Sequence, residues 1–217
     1  MTPRIATLPV REVTQRLGIA VMDTEAGPDL SQENNLLRTW RELDVPDGWR
    51  AEIIDGDIRL MPPPGNPHNL IAELIHRALL RAIPGDWGVY QTLGVWLALL
   101  NKLYVPDLVV MPRSALRNAA SPVPTDPAML VVEIVSPGNA TIDREQKRDG
   151  YASAPVPLYL LVDAWDPAGP SVTLFEEPDH GAYRRHTTVP FGATLTLPSP
   201  FDIELDTSEF PHPKEWE

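Results

Sequence analysis

A chain of 217 residues, 43% of them hydrophobic, carries enough apolar material for one sizeable core, which excludes a disordered or fibrous protein. It contains no cysteine, so a disulfide framework and a thiolate metal site are excluded, and any metal must be held by oxygen or imidazole. The net charge of -12 counts against nucleic-acid binding by bulk electrostatics, although a local basic groove or a bound divalent cation can supply the positive charge.

Residues 1–35 show weak periodicity and the loop-like TEAGPDLSQ, and read as an N-terminal extension. The opening MTPRIATLPVREV lacks the apolar core of a signal peptide, and no apolar run approaches the roughly 18 residues of a membrane helix. The expectation is a soluble, cytoplasmic protein with no membrane partner. Ser31 can cap a helix over QENNLLRTWREL, and AEIIDGDIRL reads as two short strands around the hairpin turn Asp55-Gly56. GNPHNLIAELIHRALLRAIPG predicts an amphipathic helix with Asn66 as cap, Pro67 at the first helical position, and Leu70, Ile71, Leu74, Ile75 and Leu79 on one face.

WGVYQTLGVWLALL and KLYVPDLVVMP read as a strand pair joined near Asn101, and MLVVEIVSP as a more buried third strand. NATIDREQKRDGYASA predicts a polar helix and LYLLVDA a fourth buried strand, with further strands at SVTLFEE, AYRRHTTV and ATLTL. The 25 prolines fall mostly between these segments, at 62–67, 122–127, 155–157 and 198–213. The order gives a mixed α/β (α+β) sandwich with a core domain over residues 36–210 and a C-terminal tail over 211–217.

Two carboxylates interrupt this pattern. Glu133 lies inside the aliphatic MLVVEIVSP, and Asp107 follows Pro106 in YVPDLVVMP. A carboxylate taken out of water costs several kcal/mol unless a cation or several donors meet it. If the two converge, their repulsion raises a pKa or recruits a hard cation such as Mg²⁺ or Mn²⁺. The bland alternative is that each caps a loop or pairs with its own arginine. Downstream, Asp143, Lys147 and Tyr151 fall on one helix face, so Lys147 can reach back toward the strand ends, unless Asp143 and Lys147 form an ordinary exposed pair.

VPDLVV, LVVEIVSP, DREQKRDGYASAPVPLYLLVD and, upstream, AEIIDGDIRLMPPPGNPHN together resemble the Uma family of restriction endonuclease-like proteins, in the PD-(D/E)xK nuclease-like superfamily. The resemblance covers about residues 36 to 210. It implies a restriction endonuclease-like mixed central sheet flanked by helices, with Asp107 and Glu133 holding a divalent metal. The superfamily lysine two places after the second acid is absent, because Val135 stands there, and the family resemblance passes its role to Lys147. Glu52 matches an upstream family acid, either a further ligand through water or a structural carboxylate. His68 matches a family histidine near a helix N-terminus, where amides favour an anion such as phosphate, and a capping or surface role is equally open.

The implied chemistry is metal-dependent hydrolysis of DNA phosphodiester bonds, with Asp107, Glu133, Lys147 and Glu52 as catalytic candidates and His68 at the substrate. A homodimer is expected, because two sites related by two-fold symmetry match a two-fold duplex. The competing expectation is a catalytically silent nuclease-like domain used for binding or assembly.

Overall fold

The computed structural model describes residues 6–8, 35–117 and 120–215. In chain order the elements are β1 (Ala6–Leu8), α1 (Asn35–Glu42), β2 (Arg50–Ile54), β3 (Asp57–Met61), α2 (Asn66–Ala82), β4 (Trp87–Tyr90), β5 (Val95–Leu97), β6 (Lys102–Tyr104), β7 (Leu108–Pro112), β8 (Val123–Pro124) and β9 (Leu130–Ile134). A π-helical turn (Ile142–Lys147) leads into α3 (Arg148–Ser153), then come β10 (Leu158–Asp163), β11 (Ser171–Asp179), β12 (Ala182–Pro190), β13 (Thr194–Leu197) and β14 (Ile203–Asp206). The fold is mixed α+β, with mixed sheets flanked by a few helices.

One 6-stranded sheet runs β1-β3-β2-β6-β5-β8, a second runs β12-β11-β10-β9-β7-β4, and β13 pairs with β14 in a third, 2-stranded sheet. In the second, β9 lies parallel to β10 and antiparallel to β7. Side-chain alternation sorts the layers. Ile53 and Ile58 of the first sheet pack under α1 with Leu37, whereas Ile54 and Met61 face the second sheet. Val109, Met111, Val131 and Val135 meet them there, and Leu108, Val110, Val132 and Ile134 turn to the opposite face. That face is covered by α2 through Ile71, Ile75 and Leu79, and by the β13–β14 hairpin through Leu195, Leu197 and Leu205. Each fully buried side chain of this size contributes about 1.5–3 kcal/mol.

Several expectations change in detail. Gly65 caps α2, so Asn66 and Pro67 are its first two residues; any position in the first turn tolerates the missing proline donor. Leu70 is exposed, and Ala72 takes its place on the buried face. The two runs expected to form one strand pair each divide between the sheets. Trp87–Tyr90 pairs with Leu108–Pro112 in one, and Val95–Leu97 with Lys102–Tyr104 in the other. Gly94 and Pro106 fall at the two crossings, and Asn101, in the left-handed region, closes the inner hairpin.

Strands β8 and β14 are additions to the expected order; β8 has 2 residues, too few to show alternation. Of the expected N-terminal extension, Ala6–Leu8 pairs with β3, and residues 1–5 and 9–34, with the Ser31 cap, lie outside the described residues. Among the described residues no helix is long and apolar enough to cross a membrane.

Candidate functional site

Strand parity brings three acids to the seam between the sheets. Glu52 alternates with Ala51 and Ile53, which face α1, so it points the other way, toward the second sheet. Asp107 and Glu133 share the parity of Val109 and Val131, which face the same seam. The register Leu108↔Val132, extended by one residue, sets Asp107 beside Glu133. The helix after β9 adds Asp143, Lys147 and Tyr151, all buried. Its first turn is a π-helix, a form frequent at functional sites.

Lys147 joins the layers. Its Nζ lies 3.0 Å from Glu52 Oε1, 3.0 Å from Glu133 Oε1 and 3.4 Å from Asp143 Oδ1, and its side chain is 4% exposed. An exposed Asp143–Lys147 pair is thereby ruled out. The Val105 N–H also donates to Glu52 Oε1 at 2.8 Å, while Glu52 Oε2 is buried with no hydrogen-bond partner. The Tyr151 hydroxyl donates to Glu133 Oε1 at 3.0 Å. Below Lys147, at 5.9 Å from its Nζ, lies the Tyr104 ring. A Cβ at residue 150 would come within 2.7 Å of the Tyr104 hydroxyl, so Gly150 is what lets the helix approach this ring.

Asp107 has a different shell. Arg50 Nη1 donates to its Oδ1 at 2.8 Å and to the Val105 carbonyl at 3.2 Å. Its Oδ2 accepts from the Ile134 N–H at 2.8 Å and meets His68 Nε2 at 3.1 Å. His68, expected near a substrate anion, is buried against this carboxylate.

With all four buried carboxylates ionised, Arg50 and Lys147 would leave two negative charges in excess. Burial pushes the Glu133 carboxyl well above the carboxylate range; Lys147 opposes the rise, and Asp143, Asp107 and Glu52 add to it. Burial likewise pushes Asp143 up to about 7, against Lys147 and with Glu52. At Asp107 burial is overruled by His68, Arg50 and the Ile134 amide, and the carboxyl is held below its usual range. Burial works against the Lys147 charge, but Glu133, Glu52 and Asp143 raise its pKa, so the ammonium persists.

The family resemblance implies a divalent cation here, and the donor set fits one. The oxygens are hard carboxylates, Glu52 Oε2 is unpartnered, and the Lys147 ammonium stands among three acids as a cation would. Among the described residues no three acidic or histidine side chains form a ready-made metal cage. The lysine and arginine occupy the oxygens that would turn to an ion.

All five candidates from the sequence thus meet in one cluster: Glu52 and Glu133 at Lys147, and Asp107 with His68 one strand away. Sequence reasoning did not assign Arg50, Asp143 or Tyr151 to the site. Asp143 and Tyr151 were signalled by their four-residue spacing from Lys147, whereas Arg50 carried no signal.

A crystal structure titled as that of a putative nuclease belonging to DUF820, from Anabaena variabilis, matches with a TM-score of 0.62 at 16% identity, covering 80% of this chain and 96% of that one. The likeness shows a shared fold. No curated protein matches. The family described as Uma2, putative restriction endonuclease, matches residues 37–208. The chain belongs to the Uma2 family.

Proposed function

We propose that the protein is a metal-dependent endonuclease that hydrolyses DNA phosphodiester bonds in the cytoplasm. One observation carries the reading: Glu52, Glu133 and Asp143, from three separate elements, surround the Lys147 ammonium, with Asp107 on the neighbouring strand. The nuclease-like fold and the family description agree with it.

Asp107 and Glu133 are the residues to hold Mg²⁺ or Mn²⁺, with Glu52 as a further oxygen donor. Such an ion, when bound, supplies positive charge at a phosphate and lowers the pKa of a water. Tyr151 fixes the direction of the Glu133 carboxylate through its hydroxyl. Its own pKa is raised, by burial first and then by Glu133, so the hydroxyl stays a donor. Lys147 keeps its proton and therefore acts as a charge: it orients the attacking water and stabilises the negative charge that develops on the phosphate. Asp107 remains ionised under Arg50 and His68. The proposal includes a homodimer, which presents two such sites to the two strands of a duplex.

A second reading has its own support. Lys147 already acts as a resident cation for three carboxylates, as expected of a catalytically silent module used for binding or assembly. The deciding experiment incubates supercoiled plasmid and branched DNA with the protein and Mg²⁺, Mn²⁺ or chelator. Nicking that needs the ion and disappears in Glu133→Gln is the expected result. Cleavage in chelator, or cleavage undiminished in Glu133→Gln, contradicts the mechanism; no cleavage and no ion binding leave the silent module.

A further inference from the structure

Every charged side chain of the cluster is at least nine-tenths buried except Arg50, which is 17% exposed. Arg50 lines a surface groove with Trp40, Arg41, Trp49, Thr92 and Ser121. The groove holds about 630 Å³, within the range of small-ligand sites. Arg50 therefore has one side on Asp107 and the other in this groove, and its Nε is buried without a hydrogen-bond partner.

Among the described residues, Trp49 is half-buried yet joins none of the hydrophobic clusters that take Trp40, Trp87, Trp96 and Trp165. Thr92, also in the groove, has φ +53°, a left-handed conformation that a β-branched residue adopts only under strain. Exposed Asp44 and Asp47 sit in the loop before Trp49, so the groove is no general attractor of phosphate. What its lining offers is an indole and a guanidinium, together with the apolar Leu43, Ala51 and Val105.

We infer that this groove binds an unpaired strand of the nucleic-acid substrate, with a base stacked on Trp49 and its phosphate taken by Arg50 once a divalent cation replaces Arg50 at Asp107. The inference rests on the nuclease reading and adds a substrate preference to it. An indole stacks on any base whose face is free, and a duplex hides those faces. The planar guanidinium fork pairs with phosphate as well as with carboxylate. A divalent cation held by Asp107 would compete with Arg50 for Oδ1, and its binding would free the guanidinium toward the groove. His68 and the Ile134 amide, both on Oδ2, would hold Asp107 in place.

The test combines Mn²⁺ calorimetry with anisotropy of labelled oligothymidylate and of a labelled duplex, read in Ca²⁺ to hold back cleavage. Arg50→Ala is expected to bind Mn²⁺ more tightly, because a competitor is gone, and oligothymidylate at least about fivefold more weakly. Trp49→Ala is expected to melt like the parent and keep its Mn²⁺ and duplex affinities, while losing about fivefold or more for oligothymidylate. A folded Arg50→Ala that binds Mn²⁺ more weakly, or either variant with full oligothymidylate affinity, overturns the inference and leaves the nuclease reading standing. If Arg50→Ala does not fold, the Trp49→Ala result decides alone. Parent protein that binds neither Mn²⁺ nor DNA overturns both.

Discussion

At Asp107 a single carboxylate meets the Arg50 guanidinium, the His68 ring and the Ile134 amide, whereas one strand away Glu52, Glu133 and Asp143 share the Lys147 ammonium. The residue type and the seam are the same, and the burial is nearly so. The ratio of acids to cations differs, and it reverses the direction in which the carboxyl pKa moves: down at Asp107, up at Glu133 and Asp143. Burial alone does not set the direction of the shift; the ratio of acids to cations around each carboxyl does.

The largest change should come from removing the shared cation. Lys147→Met leaves three buried carboxylates with no ammonium and is expected to cost about 5 kcal/mol, the upper end for a broken buried pair. Urea denaturation in chelator at neutral pH measures it, and a loss below about 1 kcal/mol would break the contrast. Asp107→Asn strands Arg50, but that side chain is partly exposed and retains the Val105 carbonyl, so about 3 kcal/mol is expected in the same measurement.

A smaller effect is the pH dependence of the crowded end. Asp143 has a folded pKa of about 7 against an ordinary 3.8, so the folded protein binds more protons than the unfolded chain between those values. Its contribution to stability therefore falls as pH rises from about 4 to about 7, and Glu133 acts in the same sense. Asp107, shifted the other way, loses stability only as pH falls below the ordinary carboxylate range. Metal-free denaturation at pH 5 and pH 8 should show a shallower decline in Asp143→Asn than in the parent. Equal slopes would mean that Asp143 titrates normally.

Much of this cluster was legible before any coordinates, because an acid inside an aliphatic strand is conspicuous. Glu133 and Asp107 stood out for that reason, and helix spacing tied Lys147 to Asp143 and Tyr151. The sequence could not tell whether that helix face was solvated or buried, since its polar residues fit either case. Arg50 was invisible: an arginine opening a strand is ordinary, and its partner at Asp107 is 57 positions away. Glu52 was seen only through family resemblance, although its alternation with Ala51 and Ile53 already set it apart from the α1 face. The division of two apolar runs between sheets was missed because Gly94 and Pro106 read as local punctuation when each marks a crossing from one sheet to the other.

Calorimetric titration of Mn²⁺ into the metal-free parent and into Glu133→Gln tests the proposed cation site most directly. The parent should bind one ion per chain and melt at a higher temperature with it. Glu133→Gln should lose that binding, yet in chelator at pH 8 it should be at least as stable as the parent, because neutralising one of three crowded carboxylates relieves repulsion while Lys147 keeps the other two. A parent that ignores Mn²⁺, together with a Glu133→Gln that melts far below it, would contradict the account and make Glu133 one half of a structural ion pair.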